Sequence, residues 1–342
     1  MDLWQYLHNT AKPIVLYGTG SGADRALDRL NADGTPVAGV FASDGFAKGR
    51  SFRGFRVETY ENVKNRLSDF TVLMCFGSAR PEVLENAARI EAEREFLIAD
   101  VPVAGDTVFD EAFYNAHIER LRQTRERLSD EESKTAFDAL IRFKLTGQPR
   151  YLRASERPNL PSGVLSAPSG GVILDLGAYT GDSATGFLAA YPGLGRIIAV
   201  EPEPRNYKKL CALAENEPRL QPVRALAGAA EGEAFVSVGR RGRGSAAAAN
   251  GIPTPVVTVD SLLSGARADL IKLDVEGEEM NALQGAARTV GTYKPKLIVS
   301  CYHRSEDLFA LPELVFSLRR DYRMYFRRKR CIPAWECEFV FC

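Results

Sequence analysis

No two of the six cysteines (75, 211, 301, 331, 337 and 342) form a C-x-x-C pair, in a chain of 342 residues. Reduced, mostly buried thiols are expected, and a disulfide or zinc framework is not. Net charge is missing as well. Forty-four Lys plus Arg cancel forty-four Asp plus Glu, so no whole-molecule field draws the chain to nucleic acid or anionic lipid. No window reaches the roughly eighteen apolar residues of a membrane span. The opening MDLWQYLHNTAKP has no basic segment followed by a long apolar core, so a soluble, cytoplasmic protein is expected. What is present is ordinary globular material, 45% hydrophobic and 26% charged. At about 150 residues each, two domains are expected.

Two regions share one grammar. In the first, strands read at Ile14–Tyr17, Val37–Phe41, Thr71–Phe76 and Glu95–Ala99, with a helix over Pro81–Glu93. Strands alternating with helices mean a parallel sheet, so residues 1–105 are expected to form a smaller Rossmann-like α/β domain. Charged, glycine-poor sequence follows, and Ser129 with Glu132 reads as a capping box for its second helix. Residues 106–160 are thus a helical connector.

In residues 161–342, strands read at Val172–Leu176, Arg196–Val200, Gln221–Ala225, Leu270–Asp274 and Lys296–Ser300. Helices read at Ser183–Tyr191, Arg205–Glu215, Glu278–Arg288 and Leu311–Asp321, and Tyr322–Arg328 and Glu338–Cys342 alternate like an antiparallel pair. A mostly parallel sheet finished by an antiparallel hairpin is the class I methyltransferase form of α/β fold.

The stretch GGVILDLGAYTGDSATGF, 170–187, runs a strand into a glycine turn and then a helix. Such a loop is where open α/β sheets bind ligands. Asp175 ends the strand, Gly177 and Gly181 admit close approach, and Ala178, Tyr179 and Asp182 complete the loop. With no Lys or Arg to pair a pyrophosphate, and with Asp182 to repel one, the loop suits a cationic ligand bearing an amino group, such as S-adenosylmethionine. Glu201, before Pro202 at the second strand end, can accept both hydroxyls of a ribose.

With those residues in place, the region Gly170–Cys342 resembles the FkbM-type S-adenosylmethionine-dependent methyltransferases. The resemblance rests on DLIKLDVEGEEMNALQGA (269–286), TPVVTVDSLL (254–263), the strand ending in Tyr302 and His303, and the segments YFRRKR and AWECEFVFC. It implies O-methylation, commonly of sugars in glycans or natural products. His303 is the histidine placed at a strand end on the ligand side, and its reference pKa near 6.5 suits a general base; a structural histidine capping the next loop is the other reading. Asp274 and Glu276 would face methyl donor and acceptor, orienting hydroxyls or sharing the base role. A divalent ion held by these two carboxylates and His303 is left open, and so is their service as a plain helix start.

Substrate contact is assigned to Glu276, Tyr302, Arg327 and the loop arginines Arg240, Arg241 and Arg243, which would either grip a phosphate or uronate or lie on a mobile, solvated loop. The seven basic residues of 319–330 read as outer positions of a hairpin, not as a nucleic-acid surface. In the first domain, Gly18, Gly20 and Ala23 fit a loose G-x-G-x-x-A fingerprint, yet Phe41-Ala42-Ser43 stands before Asp44 where a ribose-binding acid belongs. A nucleotide or nucleotide-sugar partner, a docking role and simple glycine packing stay open there, as does homo-oligomerisation. Two alternatives remain beside the sugar O-methyltransferase: an NAD-linked sugar-modifying enzyme built on the first domain, and a non-catalytic nucleotide-binding partner in glycan assembly.

Overall fold

A computed structural model describes residues 1–47, 49–236 and 251–342. Its first sheet is built from β1 (Ile14–Tyr17), β2 (Val37–Phe41), β3 (Ser51–Phe52), β4 (Phe55–Glu58), β5 (Thr71–Met74) and β6 (Glu95–Ile98). Their order is β3-β4-β2-β1-β5-β6, parallel except for the β3–β4 pair. Continuous apolar runs such as IVLY and TVLM are buried on both faces, as helix-covered parallel strands must be.

Three helices follow, Glu111–Arg127, Glu131–Thr146 and Pro149–Ala154. The second is not capped by Ser129. Asp130 is its N-cap and accepts from Ser133 N at 2.7 Å, because Ser129 is drawn into contact with the C-terminal hairpin, its Oγ accepting from Met324 N at 3.1 Å.

The remaining strands are β7 (Val172–Leu176), β8 (Arg196–Val200), β9 (Leu220–Val223), β10 (Leu226–Ala227), β11 (Gly232–Val236), β12 (Ile252–Val257), β13 (Leu270–Leu273), β14 (Lys296–Ser300), β15 (Met324–Arg328) and β16 (Cys337–Phe341). Seven of them form one sheet, β15-β16-β14-β13-β7-β8-β9, in which only β16 runs against its neighbours. Order reverses between β7 and β13, and the ends of those two strands make the crevice. β10, β12 and β11 form a separate three-stranded sheet. Pro253 and Pro255 hide β12 from a propensity reading. The expected helix 278–288 is two helices, Glu279–Gln284 and Ala287–Tyr293. They break near Gly285, where a β-carbon would lie 2.1 Å from the Gly228 carbonyl oxygen.

Two arginines staple the connector to the hairpin. Arg157 pairs with Asp130 at 2.7 Å and donates to the Phe326 carbonyl at 3.0 Å. Arg328 is 0% exposed and donates to Ser155 Oγ at 2.7 Å and to the carbonyls of Leu152 and Cys331. The expectation of outward-facing basic residues therefore fails for Arg328, whose face of β15 is covered by the 131–146 helix. All six cysteines are free, four of them buried. Among the described residues no helix is long and apolar enough to cross a membrane.

Candidate functional site

A cleft of about 910 Å³ opens at the switch point. Gly177 takes φ +80°, and a β-carbon on it would sit 1.8 Å from the Asp274 carbonyl oxygen. Only glycine lets the loop cross β13 so closely. The amides of Gly177 and Ala178 both donate to the Val200 carbonyl at 3.0 Å, which ties the loop to β8. Of the residues expected at a methyl donor, Gly177, Ala178, Tyr179, Asp182, Glu201, Pro202 and Asp274 line the cleft.

Two do not. Gly181 starts the Asp182–Ala190 helix at φ +97° and packs toward Leu213, where a β-carbon would come within 2.5 Å. Asp175 is 0% exposed and lies beneath the floor, 3.3 Å from Lys272 Nζ. The residue that reaches the cleft wall in its place is Lys272, which also stands 3.7 Å from Asp274 Oδ2. Sequence reasoning passed over Lys272, although two residues before Asp274 on a strand it had to share that face.

Glu201 is 4% exposed and held from two sides, accepting from Tyr179 N and from Glu203 N at 2.9 Å each. Burial pushes its carboxyl up to about 7 against those hydrogen bonds, which favour the charged form. A carboxylate so fixed lines the cleft at the second strand end with acceptor capacity to spare.

At the end of β13 the chain makes a tight turn. Glu276 adopts φ +56° and Gly277 φ +101°. Glu279, 1% exposed, folds that turn by accepting from Val275 N at 2.8 Å and from Gly277 N at 3.1 Å. Asp274, Glu276 and Tyr302 line the cleft, and the Tyr302 hydroxyl donates to Asp274 Oδ1 at 3.0 Å. Burial works against ionisation of Asp274, but Lys272 and His303 outweigh it and hold its carboxyl below the usual range.

His303 is not on the cleft wall. It is 0% exposed behind the turn, with Nδ1 3.0 Å from Glu279 Oε1 and Nε2 3.6 Å from Glu276 Oε2 and 3.7 Å from Asp274 Oδ1. Burial pushes its imidazole down, yet Glu279, Asp274 and Glu276 together hold it up at about 9. That differs from the reference value on which the base role was argued. As for a metal, among the described residues the donors that come within 4.8 Å of one another belong to Asp274, Glu279 and His303, not to the set with Glu276. Both Glu279 oxygens already accept backbone amides, and Asp274 is engaged by Tyr302 and Lys272. Carboxylates so committed do not fit a resident ion, although the His303 ring nitrogens have no hydrogen-bond partner among the described residues.

On the hairpin side of the cleft, Lys329, Glu336 and Glu338 join Glu276 and Tyr302. Arg327, expected to touch substrate, instead donates from Nε to Glu338 at 2.6 Å and thereby fixes that carboxylate. The two are cross-strand partners, a pairing invisible until the hairpin register is known. Arg240, Arg241 and Arg243 lie outside the described residues.

The first sheet has its own switch point between β1 and β5, where Gly20 faces open space but its neighbours Gly18 and Gly22 are closely packed. A β-carbon on Gly18 would meet the Phe76 ring at 2.7 Å, and one on Gly22 the Cys75 carbonyl oxygen at 2.3 Å. Over the end of β5 lies the C-terminal region. A β-carbon on Gly77 would come within 2.1 Å of the Trp335 ring, and Ser78 and Ile332 exchange backbone hydrogen bonds of 2.6 and 3.0 Å. Close packing accounts for Gly18 and Gly22.

Counting strands within the seven-stranded sheet alone, the order 3-2-1-4-5-7-6 with a cleft at the first strand's end is the class I methyltransferase form of the Rossmann-like fold. The chain resembles the crystal structure of Methyltransferase FkbM from Methylobacillus flagellatus KT, at TM-score 0.74 and 21% identity over 97% of this chain and 90% of that one. Weaker likenesses carry no argument. They include Aeropyrum pernix fibrillarin in complex with natively bound S-adenosyl-L-methionine (TM-score 0.34, 13% identity, 52% of this chain and 69% of that one). Another is precorrin-6y C5,15-methyltransferase from Geobacter metallireducens GS-15 (TM-score 0.35, 12% identity, 52% and 81%). No curated protein matches the chain. Residues 175–328 match the family described as the Methyltransferase FkbM domain. That match falls within the region that carried the sequence resemblance.

Proposed function

We propose that the protein is an S-adenosylmethionine-dependent O-methyltransferase whose acceptor is a hydroxyl of a sugar or glycan. The observation that carries the donor half is Glu201, fixed at the second strand end beside the Gly177 cradle and opening on the same cleft. In this reading Glu201 accepts the ribose hydroxyls, Gly177 to Tyr179 pass beneath the methionine portion, and Asp182 and Asp274 face its ammonium group. The bound donor supplies an electrophilic methyl carbon on a sulfonium.

The acceptor half is supported by the cleft's far wall. Glu276, Tyr302, Lys329, Glu336 and Glu338 offer hydrogen-bonding groups of both kinds around one opening, which suits a polyhydroxylated ring better than an apolar acceptor. Methyl transfer needs the acceptor oxygen in line with carbon and sulfur, and holding it there supplies much of the rate. A carboxylate at the turn would orient the hydroxyl and take its proton.

We read residues 1–105 as a docking and positioning domain, 106–160 as its connector and 161–342 as the methyltransferase domain. The Trp335 and Ile332 contacts at the end of β5 favour docking over dinucleotide binding.

Calorimetric titration with S-adenosylhomocysteine and then NAD, in wild type and Glu201→Ala, tests this. Micromolar binding of the first ligand that is lost in the variant is expected, with no heat from NAD. Binding of NAD alone would move the site to the first domain. Transfer of labelled methyl to a panel of methyl glycosides and oligosaccharides then tests the acceptor class.

A further inference from the structure

A general base must reach its proton directly or through one water. The His303 side chain is fully enclosed and absent from the cleft wall, where Asp274 and Glu276 stand between it and any acceptor. Its surroundings are acidic on every side. Glu279, from the helix after the turn, faces Nδ1 at 3.0 Å; Glu276 and Asp274, from the turn itself, face Nε2 at 3.6 and 3.7 Å. Asp307, from the helix that follows, also faces the ring, its carboxyl pushed up to about 7 by burial and by Glu279. The Tyr302 ring lies against the imidazole at 4.1 Å between centroids. From the first domain Ala104 N donates to the His303 carbonyl at 2.9 Å.

A neutral imidazole has one bare nitrogen. Here either choice would leave that nitrogen's lone pair against a carboxylate. Among the described residues neither ring nitrogen makes a hydrogen bond, so the contacts are ionic, and only the doubly protonated ring answers the carboxylates on both sides with positive charge. The cation it becomes is held by Glu279, and Glu279 is the residue whose two oxygens accept Val275 N and Gly277 N. Charge on His303 is thus transmitted to the backbone that presents Glu276 at φ +56°.

We propose that His303 is a positioning residue, a buried cation that holds the 274–277 turn, and that Glu276 receives the acceptor's proton. The proposal rests on the methyltransferase reading above. As a lone pair of the acceptor oxygen forms its bond to the methyl carbon, the carbon–sulfur pair returns to sulfur, and the hydroxyl proton passes to the Glu276 carboxylate. Asp274 is engaged from two sides, since Tyr302 donates to its Oδ1 and Lys272 faces its Oδ2. The elevation of His303 to about 9 agrees with a ring that stays charged near neutrality.

The chain has three histidines, at 8, 117 and 303, so nitrogen-15 histidine NMR on the whole protein resolves the matter. His8→Gln and His117→Gln identify the His303 signals without touching the site. Both ring nitrogens of His303 should be protonated at about pH 7, with the ring losing its second proton as pH rises through about 9. A single neutral tautomer at about pH 7 would overturn the cation. Glu276→Gln should keep S-adenosylhomocysteine affinity within about threefold while methyl transfer to the glycoside panel falls about 100-fold or more. Wild-type transfer in that variant would overturn the role of Glu276. Failure of the wild type to bind S-adenosylhomocysteine would instead sink the methyltransferase reading, leaving the state of His303 to be read independently.

Discussion

Gly177 passes so close to Asp274 that a β-carbon on it would lie 1.8 Å from the Asp274 carbonyl oxygen. Both atoms belong to main chain, so neither can swing away. Gly177→Ala would also force an alanine to φ +80°. It should cost about 3 kcal/mol or more in urea unfolding and weaken S-adenosylhomocysteine binding at least about tenfold. A normally stable variant with wild-type affinity would show that the loop can move aside.

Lys272 stands between Asp175 and Asp274, 3.3 and 3.7 Å from them. Lys272→Met would leave Asp175 as a charge with no exposure and no cation. Breaking a buried pair on one side costs roughly 3–5 kcal/mol, readable in the denaturation midpoint. Adding Asp175→Leu should recover most of that loss. If the single variant loses less than about 1 kcal/mol, the pair does not support the floor of the cleft.

Glu201 has a folded-state value near 7 against an ordinary 4.5. A raised value means that the stability carried by the protonated carboxyl is fully present below about 4.5 and lost as pH rises through about 7. Glu201→Gln cannot ionise. Its melting temperature should therefore climb relative to wild type between about pH 5 and 8, while its S-adenosylhomocysteine affinity falls. A difference that stays flat with pH would contradict the buried carboxylate.

For His303 the ordinary value is 6.5 and the folded value about 9. The charged ring's contribution is fully present below about 6.5 and disappears as pH rises through about 9. Wild type should accordingly lose more of its melting temperature than His303→Gln does between about pH 7 and 9.5. Parallel curves for the two proteins would count against a charged His303.

Trp335 covers Gly77 at the end of β5, where a β-carbon would meet its ring at 2.1 Å. Gly77→Val should separate the hairpin connection from the first domain, lower the melting temperature by several degrees and expose the 329–336 segment to hydrogen exchange. Unchanged exchange there would mean that the contact does not hold the acceptor wall.

Several elements were legible because their signals are local. IVLY, VILDL, RIIAV and KLIVS are apolar runs bounded by turn residues, and they coincide with β1, β7, β8 and β14. The loop glycines were found by the same means, since a strand, a glycine and a helix lie within a few residues of each other. Glu201 was legible for its place at a strand end. Lys272 was equally available by alternation and went unread, because a lysine inside an apolar strand looks like an edge position until its acidic neighbours are known. β12 escaped because its prolines contradict its pairing.

The chain's own periodicity and its glycines determined the two parallel sheets, the switch-point loop and the acidic character of the cleft. Each of these depends on residues within one strand and one turn. Tertiary structure alone decided which carboxylates meet. Asp175 is drawn under the floor by Lys272, 97 residues away, and Arg327 is claimed by Glu338 across a hairpin. His303 and the Glu279 it faces come from separate strand ends. A side chain's charge state and exposure follow from such distant partners, because burial removes water and leaves only protein groups to answer its donors and acceptors.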